Sequence, residues 1–97
     1  MTFPLPDVVL YSRAGCGLCD EARETLQVLL HERVASGAAA AVLVERDIAA
    51  DADLEAALFD RIPVVEVGGQ RLELSASRLR LRRLLEDALD LPRVAAG

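Results

Sequence analysis

Tyr11-Ser12-Arg13-Ala14-Gly15-Cys16-Gly17-Leu18-Cys19-Asp20-Glu21-Ala22 holds both cysteines of the chain, two residues apart. On its N-terminal side, from Asp7, lies Val8-Val9-Leu10-Tyr11, a continuous apolar run with β-branched members. Such a run reads as a strand buried on both faces. Ser12 to Gly15 then reads as a turn. From Gly17 the period changes. Leu18, Ala22, Leu26, Leu29, Leu30 and Val34 fall at helical spacing, with Glu21, Arg23, Glu24, Gln27, His31 and Glu32 mostly on other faces. Gly37 is the predicted stop, because a left-handed C-terminal cap costs glycine least. Cys16 and Cys19 therefore sit at or just ahead of the first turn of an amphipathic helix. A thiol pair at that spacing and place is a redox pattern.

Downstream, Ala40 to Glu45 is a second strand candidate centred on Val42-Leu43-Val44, with Arg46-Asp47-Ile48 leading out. Asp51 to Asp60 reads as a short helix capped by Asp51, with Leu54, Ala57 and Leu58 as its apolar stripe. Ile62 to Val67 is a third strand, with Pro63 near its start where a missing N–H is tolerated. Gly68-Gly69 is a two-residue hairpin signal, and Gln70 to Leu74 alternates like a half-exposed fourth strand. Ser75 is the expected cap of a last helix buried through Leu81, Leu84, Leu85 and Ala88 and ended by Pro92. Residues 1–6 and 92–97 read as irregular termini of a single domain. The order is β-α-β-α-β-β-α. Strands joined through a helix should run parallel with a right-handed crossover, and the hairpin makes the last pair antiparallel. This is an α/β chain with a four-stranded mixed sheet and helices on both faces, the minimal thioredoxin fold.

The bulk numbers narrow the function. A chain of 97 residues has room for one core. A net charge of −5 argues against a nucleic-acid partner, since phosphate binding needs a basic face. Arg78, Arg80, Arg82 and Arg83 are followed by Glu86, Asp87 and Asp90, which reads as a solvated charged face. Met1 to Asp7 lacks a basic-then-apolar secretory pattern. The longest uncharged apolar run, Ala38 to Val44, is too short to cross a bilayer. The expectation is a cytoplasmic monomer with no membrane partner. In a reducing compartment a cysteine pair serves catalysis or metal binding more often than structure.

Disulfide exchange needs a thiolate that attacks and a second thiol that releases the mixed disulfide. Positions i and i+3 lie on one helical face, so Cys16 and Cys19 can reach each other. The loop they close is too small to restrain much of the unfolded chain. Free N–H groups at a helix start favour a thiolate. Cys16, the more N-terminal thiol, is the expected nucleophile and Cys19 the resolving thiol. Arg13 would add positive potential, and Asp20 and Glu21 would oppose it. Zinc wants four ligands and His31 lies turns away, so no metal is expected within one chain; a metal shared between two chains is the remaining alternative.

These residues resemble the glutaredoxins, most of all the short bacterial glutaredoxin-like proteins of the thioredoxin superfamily. The likeness runs from Asp7 to Leu89, including Leu18 before the second cysteine, the acidic residue after it, and Asp47-Ile48 after the second strand. A second matching motif is Arg61-Ile62-Pro63-Val64-Val65. The resemblance implies that Pro63 is cis and faces the cysteines, and that the backbone of Ile62 pairs with the molecule being reduced. It implies a disulfide-bearing protein or a low-molecular-weight thiol as partner and no resident cofactor, with glutathione as a co-substrate.

Two departures bear on that co-substrate. Gly17-Leu18 stands where good glutathione binders carry a proline and an aromatic. Leu74-Ser75-Ala76-Ser77-Arg78 stands where they carry Gly-Gly and acidic residues, although Ser75 and Ser77 still offer hydroxyls beside helix N–H groups. Two functions remain open at this point: a dithiol–disulfide oxidoreductase, and a redox-sensing or adaptor domain that responds to Cys16–Cys19 oxidation without turnover.

Overall fold

The computed structural model describes residues 5–90. Leu5 and Pro6 carry no regular structure; the remainder of the expected N-terminal lead-in, Pro92 and the tail lie outside the described residues. The elements are β1 (Val8–Ser12), α1 (Gly17–Ser36), β2 (Leu43–Asp47), a 3-10 turn at Ile48–Ala50, α2 (Ala52–Leu58), β3 (Val64–Val67), β4 (Gln70–Glu73) and α3 (Arg78–Leu89). They build one four-stranded mixed sheet in the order β2-β1-β3-β4.

The first crossover is as expected. The 20-residue α1 runs about 30 Å, long enough to carry the chain back along the sheet, and β2 pairs parallel to β1 with Val8 opposite Leu43 and Ser12 opposite Asp47. The second connection departs from the parallel expectation. With seven residues, α2 spans only about 10 Å, too short to return the chain to the far end. β3 therefore starts at the end where β2 stops and pairs antiparallel with the other side of β1, Tyr11 opposite Val64. The hairpin at Gly68-Gly69 then sets β4 antiparallel to β3. In consequence the C-terminal ends of β1, β2 and β4 and the start of β3 share one end of the sheet.

Val8 and Leu10 of β1 and Val65 and Val67 of β3 face α1 and α3, packing with Leu26, Leu29, Leu30, Leu81, Leu84, Leu85 and Leu89. On the opposite face Val64 packs with Ile48 and Leu58, flanked by Tyr11, Leu54 and Ile62. Helices thus cover both faces. The stripes are narrower than the periodicity predicts. Leu18 and Val34, at the two ends of α1, are 40% and 67% exposed. Ala57 is also exposed, while Leu89 joins the buried side of α3 beside a half-buried Ala88.

Three boundaries move for local reasons. β2 begins at Leu43 and runs on through Arg46 and Asp47, since an edge strand needs only backbone partners, which β1 supplies. β3 begins at Val64, leaving Ile62 and Pro63 as its lead-in. α3 is capped by Ser77, whose side chain accepts from the Arg80 amide at 3.2 Å. Ser75 is buried and its hydroxyl instead accepts from the Ser77 amide, a local turn that competes with helix. Gly37 does close α1, at φ +78, with its own amide and that of Ala38 returned to the Val34 and Arg33 carbonyls. Arg33 locks the same corner, donating through Nε to the Ala39 carbonyl and pairing with Asp90 past the end of α3.

Candidate functional site

β1 delivers the chain to the thiol loop at Ser12, and Gly15, at φ +81, turns it into α1. Cys16 is the N-cap of that helix, with extended backbone (φ −93, ψ 104). Its amide donates to the Arg13 carbonyl at 3.2 Å, and its carbonyl accepts from Asp20 at 3.1 Å. Its sulfur takes the place that a serine or aspartate oxygen usually fills at a cap: Sγ accepts from the Cys19 amide at 3.1 Å. The two cysteines form a disulfide with Cα atoms 5.2 Å apart. They differ in access. Cys16 is half-buried and Cys19 is fully buried against the sheet side of α1.

The other expected site residues lie at the same end. The Ile62–Pro63 peptide is cis. Pro63 is buried and directly precedes Val64, the partner of Tyr11, so it flanks the end of β1 from which the thiol loop departs. Ile62 is half-buried, and its amide donates to the Leu58 carbonyl at 3.2 Å. Arg13 contributes its carbonyl to the Cys16 amide, while its guanidinium reaches Glu55 of α2 at 4.0 Å. His31 is exposed on α1. Among the described residues no three His, Cys, Asp or Glu side chains cluster as a metal would require.

Sequence reasoning missed a charged cluster beside the thiol loop. Ser12, 3% exposed, donates its hydroxyl to Glu45 Oε2. Arg23 of α1 makes two bonds to the Glu45 carboxylate, each 2.6 Å, and one to Asp20 at 3.0 Å. The Arg23 guanidinium, helped by Ser12, holds the Glu45 carboxyl below the usual glutamate value, and burial opposes this. The parallel register makes the cluster: Glu45 lies opposite Leu10, so it shares a sheet face with Ser12 beneath α1. Arg23 also offsets the negative charge of Asp20 next to Cys19, which the sequence reading set against thiolate formation. A cavity of about 230 Å³ opens here, walled by Arg13, Ala14, Asp20, Arg23, Glu45 and Asp47 together with Ser12. A larger one, about 390 Å³, lies between α1 and α3 near Arg33 and Asp90, away from the thiols.

The solved structures similar to this chain include the following two. The X-ray structure of Northeast Structural Genomics target protein XcR50 from X. campestris is 33% identical, with 84% of this chain and 97% of that chain covered and a TM-score of 0.67. The solution NMR structure of protein Ne2328 from Nitrosomonas europaea is 27% identical, with 76% and 80% covered and a TM-score of 0.56. No curated protein matches. The family model described as Glutaredoxin-like domain (DUF836) matches residues 7–89, which span the sheet, the three helices and the cysteine pair. With its Cys-x-x-Cys disulfide at the start of α1, this chain belongs to the glutaredoxin-like family within the thioredoxin fold.

Proposed function

We propose that this protein is a thiol–disulfide oxidoreductase in which Cys16 attacks and Cys19 resolves. The observation that carries the reading is the unequal setting of one disulfide: Cys16 is only half-buried and its Sγ accepts from a helix N-terminal amide, whereas Cys19, one turn on, is fully buried. In the reduced protein that amide, with the helix dipole, supports a thiolate at Cys16. The Cys16 thiolate attacks one sulfur of a substrate disulfide. The substrate S–S bond breaks, and its second sulfur leaves as a thiolate that takes a proton from water. Cys19 then gives up its proton and attacks Cys16 Sγ in the mixed disulfide, releasing the first substrate sulfur. The substrate gains two electrons, and the Cys16–Cys19 pair loses them by forming its disulfide. A thiol reductant returns two electrons to complete the cycle.

The test is turnover of a small disulfide with either a glutathione or a thioredoxin-reductase system as donor. Wild type should turn over many times, Cys16→Ser should be inactive, and Cys19→Ser should accumulate a mixed disulfide on Cys16. No turnover with either donor system would leave the adaptor reading, in which oxidation alone alters partner binding.

A further inference from the structure

We propose that Leu74 sets what this site accepts: its side chain is an apolar anchor selecting a polypeptide disulfide flanked by an apolar residue over glutathione disulfide. The proposal rests on the oxidoreductase reading above and names its substrate class.

Leu74 is the one non-glycine among the described residues with positive φ, +57. An L side chain there crowds its own backbone. Burial does not repay this, because Leu74 is 58% exposed. Glycine would hold the same backbone without the clash, so what leucine adds is an exposed apolar side chain. Its position is firmly held. The Leu74 amide donates to the Pro63 carbonyl at 2.9 Å and to the Arg61 carbonyl at 3.2 Å, fastening it to both sides of Ile62. Strain kept in place by its surroundings, at the edge of a reactive site, points to a role in that site.

The surroundings indicate the kind of substrate. Leu18 between the cysteines, Phe59 after α2 and Leu79 in the first turn of α3 are also large, apolar and at least 40% exposed. All three, with Leu74, belong to segments that meet the thiol end of the sheet. Arg13 of the thiol loop lies 4.0 Å from Glu55, and Arg61 at the cis bend pairs with Glu73 at 3.3 Å and Asp60 at 3.9 Å. The first turn of α3 has a donor taken by Ser77. Glutathione disulfide carries four carboxylates and two ammonium groups that seek free charged partners. An extended polypeptide brings neutral backbone and an apolar side chain, which suit this exposed apolar rim.

The test mixes reduced wild type, Leu74→Gly and Leu74→Asn with three probes and follows Cys16–Cys19 oxidation. The probes are a disulfide-linked peptide with leucine beside its cysteine, the same peptide with serine there, and glutathione disulfide. Asparagine tolerates the left-handed backbone while removing the apolar surface. Wild type should prefer the leucine peptide. Both variants should lose about tenfold on it, the scale of one apolar contact, and keep their rates on the other two probes, while Leu74→Gly melts at or above wild type. Unchanged rates on the leucine peptide, equal losses on all three probes, or a lower melting point for Leu74→Gly would overturn the proposal. Failure of wild type to react with any probe would instead overturn the oxidoreductase reading itself.

Discussion

The Cys19 amide donates to Cys16 Sγ at 3.1 Å, so one cysteine's backbone serves the other cysteine's sulfur. Cys19 thereby has two separate parts in the site. Its side chain, with no exposure, is reserved for the internal step, and its N–H sits where charge on Cys16 would develop. The spacing of two residues achieves both at once, because an N-cap side chain meets the amide three positions on.

This arrangement predicts unequal alkylation. In the reduced protein at neutral pH, iodoacetamide should modify Cys16 at least about tenfold faster than Cys19, since the thiolate reacts and access gates it. Mass spectrometry of peptides after a timed quench reads the ratio. Equal labelling of the two thiols in folded protein would contradict the assigned roles.

Packing predicts a sharp contrast along α1. Leu26 is fully buried between the sheet and α3, whereas Val34 is 67% exposed. Leu26→Ala should cost about 2–5 kcal/mol in urea unfolding, and Val34→Ala should fall within about 0.5 kcal/mol of wild type. Both residues belong to one periodic stripe, and only their burial in the folded chain separates them.

That contrast shows what the sequence could carry. Local signals were sufficient for the thiol-bearing turn, for α1 with its stop at Gly37, for the Asp51 cap and for the Gly68-Gly69 hairpin, because each is specified within a few residues. What depended on distant partners was not legible. Ser12, Arg23 and Glu45 have no shared sequence signature and meet only through the β1–β2 register. The direction of β3 was missed because it follows from the short reach of α2. Ser75 and Ser77 carry identical capping chemistry, and the choice between them follows from the turn after Leu74.

Two glycines at opposite ends of α1 should respond oppositely to alanine. Gly37 has φ +78, where an added Cβ finds open space but strained backbone, so Gly37→Ala should destabilise by about 1 kcal/mol. Gly17 starts α1 without positive φ and with nothing within 4 Å of an added Cβ. Gly17→Ala should stabilise by about 0.5 kcal/mol through the unfolded chain. Thermal or urea unfolding of the pair checks the signs, and a loss at Gly17 would mean that the thiol loop needs glycine for another reason.

The Glu45 cluster predicts an acid-sensitive contribution to stability. Glu45 lies below its ordinary value of 4.5 in the folded protein, chiefly through Arg23 and with help from Ser12. A carboxylate with a depressed folded pKa adds stability that is present above its unfolded value and is lost as pH falls through the folded one. The bridge from α1 to β2 should therefore hold at neutral pH and weaken below about pH 4. Because the pair is about one-third exposed, solvent and salt screen it and the effect is modest. The melting temperature of wild type should fall more steeply between pH 5 and 3 than that of Glu45→Gln, and added salt should narrow the difference. Arg23→Gln should remove the same acid-dependent component, since it takes away the largest cause of the shift. Parallel pH profiles for all three proteins would show that the cluster contributes nothing to the joining of α1 and β2 beside the thiols.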